Sequence, residues 1–192
     1  MTTDGSTRVL VVEDDPDLRE LYADYLRDRY AVTAVATGEA ALERVADGVE
    51  VVLLDRRLPG LDGSGVLKEI RERSAGCAVA VVTGVEPGLD ILDMGFDDYV
   101  RKPVSRGDLL ALVERMDRWR EYDGAVRRYF ATATTVALIE SRGPEASGLQ
   151  AEDAQLLRER LAAAEAEAER GLEQAIGANG IEAVLQRIVR AD

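Results

Sequence analysis

Four short segments carry side chains whose types suit one piece of chemistry. Glu13, Asp14 and Asp15 are consecutive, Asp55 closes an apolar run, Thr83 closes another, and Lys102 precedes Pro103. Carboxylates gathered at one point repel one another and lose solvation, which is costly unless a hard cation sits among them. A small, oxygen-rich set suits Mg²⁺. Asp55 can then attack a phosphoryl group as a carboxylate nucleophile. The cation and Lys102 neutralise charge as it spreads over the phosphoryl oxygens, and Thr83 can donate a hydrogen bond to one of them. Each segment alone has a plainer reading. The acidic run suits a solvated turn before Pro16, and Thr83-Gly84 suits the start of a loop. Their joint placement at four strand ends is what argues for chemistry.

The elements that must position these residues follow from the patterning. RVLVV (8–12) reads as a buried strand, and Pro16 opens a helix with Leu18, Leu21, Tyr22, Tyr25 and Leu26 at helical spacing. AVTAV (31–35) is a second strand, and Thr37 is a helix cap before Ala40, Ala41, Leu42 and Val45. VEVVLLD (49–55) is apolar almost throughout, as a central parallel strand should be. A glycine- and proline-dense loop, RRLPGLDGSG (56–65), leads into a helix with Val66, Leu67 and Ile70. AVAVVTG (78–84) is the fourth strand, followed by a short helix with Pro87, Leu89, Ile91, Leu92 and Met94 that ends near Gly95. DDYV (97–100) is the fifth strand, and a helix from about Ser105 carries Leu109, Leu110, Leu112, Val113 and Met116.

Five βα units joined by right-handed crossovers give a three-layer α/β sandwich. The expected parallel sheet is flavodoxin-like, of order 2-1-3-4-5, with a functional crevice beyond the strand C-termini. Strands one and three are neighbours in that order, so Asp14 and Asp55 should converge.

The chain changes character near residue 120, so we expect a sheet domain over 1–120 and a helical domain over 121–192. Tyr129, Phe130, Val136, Leu138 and Ile139 place one helix ending near Gly143-Pro144, and 145–150 reads as a turn. A second helix is expected from about Glu152 to Ile176. Its Leu157, Leu161, Ala164, Ala168, Leu172 and Ala175 step like a shallow coiled-coil seam. Gly177 to Gly180 breaks that helix, and Ile181 to Val189 suits a short final one. An all-α hairpin or a coiled-coil segment fits this pattern.

Composition bounds the partners. The 192 residues carry 37 acidic and 24 basic side chains, a net charge of -13, and the acid is spread along the chain. That distribution argues against direct nucleic acid binding, since phosphates are repelled unless basic residues are segregated. The cluster Arg115, Arg118, Arg120, Arg127 and Arg128 is interleaved with Glu114, Asp117, Glu121 and Asp123, as on a solvated helix face. Histidine is absent, which removes His-based metal sites and catalytic triads. The single cysteine, Cys77, precedes an apolar run and reads as a buried thiol. Only Lys68 and Lys102 are lysines. Dispersed acid with so little lysine suits a high-salt cytoplasm, where like-charge repulsion is screened. No signal-like segment or bilayer-length apolar run is visible, so a cytoplasmic location without membrane contact is expected.

The segment from about Arg8 to Arg118 resembles the receiver domain of two-component response regulators. VLVVEDD (9–15), LLDRRLPGLDGSG (53–65), VVTG (81–84) and YVRKP (99–103) carry the resemblance. It implies that Asp55 accepts a phosphoryl group from a histidine kinase, and that Glu13, Asp14, Asp55 and the backbone carbonyl of Arg57 surround Mg²⁺, Glu13 mostly through water. It further implies that Thr83 is the switch hydroxyl, Tyr99 the rotating aromatic and Lys102 the family's lysine. Enzymatic activity would be limited to self-phosphorylation and autodephosphorylation at aspartate. Arg56 departs from the pattern, since the family usually has a hydrophobic residue there. The haloacid-dehalogenase-like phosphatases also use a strand-end Asp, but need a second carboxylate two residues later, where Arg57 stands.

Residues from about Glu121 to Leu172 resemble the HalX domain that follows receivers in haloarchaeal regulators, most clearly over RRYFATATTVALIES (127–141). This agrees with the acidic, lysine-poor composition and implies a link to transcription. The expected behaviour is a phosphorylation switch that resets homodimerisation or the binding of an unknown downstream protein. The alternative is a constitutive dimeric adaptor whose helical tail binds partners regardless of phosphate. With no histidine in the chain, the phosphodonor histidine must belong to a partner.

Overall fold

Val9, Leu10, Val11 and Val12 are each at most 1% exposed, as a strand covered on both faces must be. They lie in β1 (Arg8–Val12). The computed structural model describes residues 6–73, 76–85, 94–119, 124–140 and 151–176. The elements after β1 are α1 (Pro16–Arg27), β2 (Ala31–Val35), α2 (Gly38–Val45), β3 (Val51–Leu54), α3 (Gly63–Arg73), β4 (Ala78–Thr83), β5 (Asp98–Arg101) and α4 (Arg106–Trp119). The helices α5 (Gly124–Glu140) and α6 (Ala151–Ile176) follow. The chain divides into two compact units, residues 1–121 and 122–192.

The sheet of the first unit is parallel, in the expected order β2-β1-β3-β4-β5. One of its faces presents Val9, Val11, Val51, Leu53, Ala78, Ala80 and Val82 to Leu26 of α1 and to Leu109, Leu112, Val113 and Met116 of α4. The alternate residues Leu10, Val12, Val52, Leu54, Val79 and Val81 are equally buried. The second face is therefore covered too, and α2 and α3 bury Ala41, Val45, Val66, Leu67 and Ile70.

Local chemistry sets the element ends. Asp15 caps α1, its Oδ1 accepting from Asp17 N (2.9 Å) and Leu18 N (3.0 Å), with Pro16 filling the first turn. Thr37 caps α2 by accepting from Ala40 N at 3.3 Å. The third strand is shorter than its apolar run. Glu50 just before it donates its N–H to Arg8 O and accepts from Ala78 N, both at 3.0 Å, and its carboxylate also accepts from the Arg8 backbone N–H at 2.8 Å. The fifth strand starts one residue later than expected; Asp97 before it donates its N–H to Val79 O at 2.8 Å, and its carboxylate accepts from Val79 N at 2.7 Å.

In the second unit, α6 packs on α5. Val126 and Ala168 form its buried centre with Tyr129 and Phe130 against them, and Arg128 pairs with Glu167. The expected seam meets α5: Leu157 and Ala168 are buried, and Leu161 and Ala164 are half-buried. This is the hairpin form of the two arrangements that the sequence allowed. The expected helix over 87–94, apart from Met94, the turn at 145–150 and the final helix at 181–189 lie outside the described residues.

Candidate functional site

Strand register gathers the acidic residues. Val12 of β1 pairs with Leu54 of β3, so Glu13 and Asp55 are the first residues past the same rung. Asp55 N still donates to Val12 O (3.0 Å), and Glu13 N to Val35 O (3.1 Å), which extends both ladders to the site. On the other side Thr83 pairs with Arg101, and Lys102 N donates to Thr83 O at 2.9 Å. Crevice formation at these strand ends follows from parallel topology alone.

Glu13, Asp14 and Asp55 each offer a carboxylate oxygen, and these oxygens all lie within 4.8 Å of one another. Glu13 and Asp55 are buried, at 2% and 6% exposure, whereas Asp14 is exposed. Three hard oxygens, two of them desolvated and one open to solvent, fit a small divalent cation such as Mg²⁺.

Lys102 Nζ lies 2.6 Å from Glu13 Oε2, and the same ammonium bonds to Asp55 Oδ2. Burial pulls the Lys102 pKa down, but the hydrogen bonds and charges of Asp55 and Glu13 outweigh it and leave the ammonium above its ordinary range. Burial likewise pushes the Glu13 carboxyl above the usual carboxylate range, against the opposing pull of Lys102. The other Asp55 oxygen, Oδ1, accepts from Arg57 N at 3.0 Å, while the rest of Arg57 is exposed. The close approach of α3 holds this loop. A Cβ on Gly63 would come within 2.3 Å of Asp55 O and 2.7 Å of Arg56 Cα, so only glycine fits there.

Thr83 is fully buried at the end of β4, and its Oγ1 accepts from Val85 N at 3.3 Å. Tyr99, at 3% exposure, donates its hydroxyl to Val85 O at 2.6 Å, and its ring lies 5.7 Å from that of Phe96. Both residues thus hold the same point of the chain after β4.

The structure also shows supports that sequence reasoning missed. Arg19 of α1 donates from Nη1 to the carbonyls of Glu13 (2.9 Å) and Asp14 (3.1 Å). Arg71 of α3 donates to Gly95 O, Cys77 O and Asp97 Oδ2, each at 2.6 Å. Helical spacing marks neither, because their partners are backbone carbonyls or lie far along the chain. Near Arg71, a surface cavity of about 630 Å³ is lined by Arg56, Ser64, Lys68, Arg71, Glu72, Met94 and Gly95, with none of Glu13, Asp14 and Asp55 in its wall. Among the described residues, no helix is long and apolar enough to cross a membrane.

Residues 9–114 match the response regulator receiver domain, and residues 118–185 match the HalX domain. A Haloferax volcanii protein named for transcriptional regulation is 45% identical over 162 residues, covering 84% of this chain and 28% of its own length. The chain spans about half the length of other curated relatives it matches. A CheY-like receiver from Methanospirillum hungatei superposes with a TM-score of 0.58 at 27% identity, covering 61% of this chain and 98% of that one. The Thermotoga maritima response regulator TrrA, solved with Mg²⁺ and a beryllofluoride, has a TM-score of 0.53 at 29% identity, covering 57% of this chain and 98% of that one. With its sheet order, its acidic cluster and a family match over more than half its length, the chain belongs to the response regulator receiver family and continues into a HalX domain.

Proposed function

We propose that the chain is a phosphorylation-dependent response regulator that takes a phosphoryl group onto Asp55 from a histidine kinase. The carrying observation is the Asp55 carboxylate at the end of β3, with Lys102 on one oxygen and Glu13 and Asp14 beside it. Asp55 forms the new O–P bond as the donor's P–N bond breaks and the histidine nitrogen leaves with the electron pair. Glu13, Asp14, Asp55 and the Arg57 carbonyl would hold Mg²⁺, which would supply positive charge for the phosphoryl oxygens. Lys102 supplies a second, fixed positive charge from the β5 side. Water later cleaves the acyl phosphate, so the chain's own catalysis is confined to gaining and losing this group.

The switch we propose starts at Thr83. Its hydroxyl leaves Val85 N for a phosphoryl oxygen, and Tyr99 follows into the space vacated. The surface around Val85, β5 and α4 then changes shape. In this reading 1–120 is the phosphorylated domain and 121–192 the responding one, in a homodimer or with a downstream protein. The setting is the cytoplasm of a halophile, with no direct nucleic acid contact. The test is intact mass after incubation with acetyl phosphate and MgCl₂, in wild type and Asp55→Asn. One phosphoryl increment in wild type alone is expected. Equal incorporation in both proteins would sink the proposal.

A further inference from the structure

The acidic loop is held from behind by a cation that never touches its carboxylates. Arg19 Nη1 donates to Glu13 O at 2.9 Å and to Asp14 O at 3.1 Å. The loop is also fixed at each end, by Glu13 N on Val35 O and by the Asp15 cap on α1. With both carbonyls drawn to Arg19, the Glu13 and Asp14 side chains leave the loop free to face Asp55. The half-buried guanidinium forms charge-assisted bonds, stronger than those between neutral groups.

We propose that Arg19 is a positioning residue for the divalent cation, acting through the backbone of Glu13 and Asp14. This rests on the reading that Glu13, Asp14 and Asp55 hold such an ion. Two effects of Arg19 oppose each other. Its positive charge, seated on the backbone of the loop that carries Glu13 and Asp14, should weaken cation binding. Its grip on the two carbonyls should strengthen binding by keeping the oxygens in place. Outer-shell partners of metal ligands typically contribute about 10–100-fold in affinity, whereas a charge near the surface is attenuated by solvent and salt. Positioning therefore wins, and loss of Arg19 weakens the site.

The experiment titrates full-length protein with Mn²⁺, reads the free ion by electron paramagnetic resonance, and displaces it with MgCl₂. Arg19→Ala and Arg19→Gln are expected to bind about tenfold more weakly, while Arg19→Lys, which keeps a charged donor, falls between them and wild type. Thermal melts in EDTA separate this from a general loss of stability, since the affinity ratio must persist at temperatures where each variant is folded. Should Arg19→Ala not fold, Arg19→Gln decides. Equal or tighter binding in the neutral variants overturns the proposal, because a charge effect alone has that sign. Asp14→Asn is the control. If wild type itself binds no better than Asp14→Asn, the cation reading fails first and takes the role of Arg19 with it.

Discussion

Lys102 Nζ sits 2.6 Å from Glu13 Oε2 and bonds Asp55 with the same ammonium, so one cation ties the end of β5 to the ends of β1 and β3. Glu13 and Asp55 are both nearly inaccessible. Replacing Lys102 with Met would leave two buried carboxylates without their cation. Removing one partner of a buried ion pair costs about 3–5 kcal/mol. The urea midpoint of Lys102→Met in EDTA should fall accordingly, and MgCl₂ should restore more stability to the variant than to wild type. Phosphorylation by acetyl phosphate should slow as well. An unchanged midpoint in EDTA would show that the carboxylates do not depend on Lys102.

Glu13 gives the site a pH signature of its own. Burial raises its pKa above 4.5 in the folded chain. The folded state therefore holds the Glu13 proton more tightly than the unfolded state does. The stability tied to that proton is fully present below the unfolded pKa and is lost as pH rises through the folded one. Exposed Glu20 and Glu39 are shifted the other way, by the hydrogen bond and charge of Arg27 and by backbone hydrogen bonds respectively, so their stability is lost as pH falls. The useful measurement is a difference. In EDTA, wild type minus Glu13→Gln stability should rise as pH falls through the raised Glu13 pKa. A flat difference across the acid range would contradict the assigned burial effect.

Tyr99 is tied to Val85 by a 2.6 Å hydrogen bond. Tyr99→Phe removes that bond and keeps the ring beside Phe96. The expected stability cost is about 0.5–1.5 kcal/mol for one hydrogen bond. Amide exchange at Val85 should accelerate in the unphosphorylated protein, because one of the two side-chain bonds that hold Val85 among the described residues is gone and the Thr83 Oγ1 bond stays. Unaltered exchange there would separate Tyr99 from the proposed switch.

The sheet and its acidic cluster were legible because both follow from local patterns. Apolar runs such as 9–12 and 51–54 repeat with helical spacing between them, and parallel order alone brings residues 13 and 55 to one edge. The sequence also carried the seam through Leu157 and Ala168, but not its partner. The same spacing suits a second chain or α5, and only the packing on Val126 decides between them. Arg19 and Arg71 were invisible for a different reason. Each is an ordinary helix-face arginine by sequence, and its role comes from backbone carbonyls that the folded chain aims at it. Asp97 read as a strand residue, and its N–H does bond Val79 O, but the sequence did not show that its carboxylate takes the Val79 N–H as well.

Arg71 and Asp97 supply the remaining prediction. Asp97 is 5% exposed, and its Oδ2 accepts from both Arg71 Nη2 and Val79 N. Arg71 also holds the carbonyls of Cys77 and Gly95, so one guanidinium joins α3 to the start of β4 and to the approach to β5. Arg71→Met preserves the aliphatic stem but takes the guanidinium away from a buried carboxylate and loosens two carbonyls. The expected loss is about 3–5 kcal/mol, the range for breaking a buried pair from one side. Pairing it with Asp97→Asn should recover part of that loss, since the amide carries no charge and can still accept from Val79 N. A double variant as unstable as Arg71→Met alone would place the cost in the carbonyl contacts and not in the Arg71–Asp97 ion pair. Because Tyr99 and Lys102 both lie on or just past β5, the single variant should also slow phosphorylation of Asp55 without any change at the carboxylates themselves.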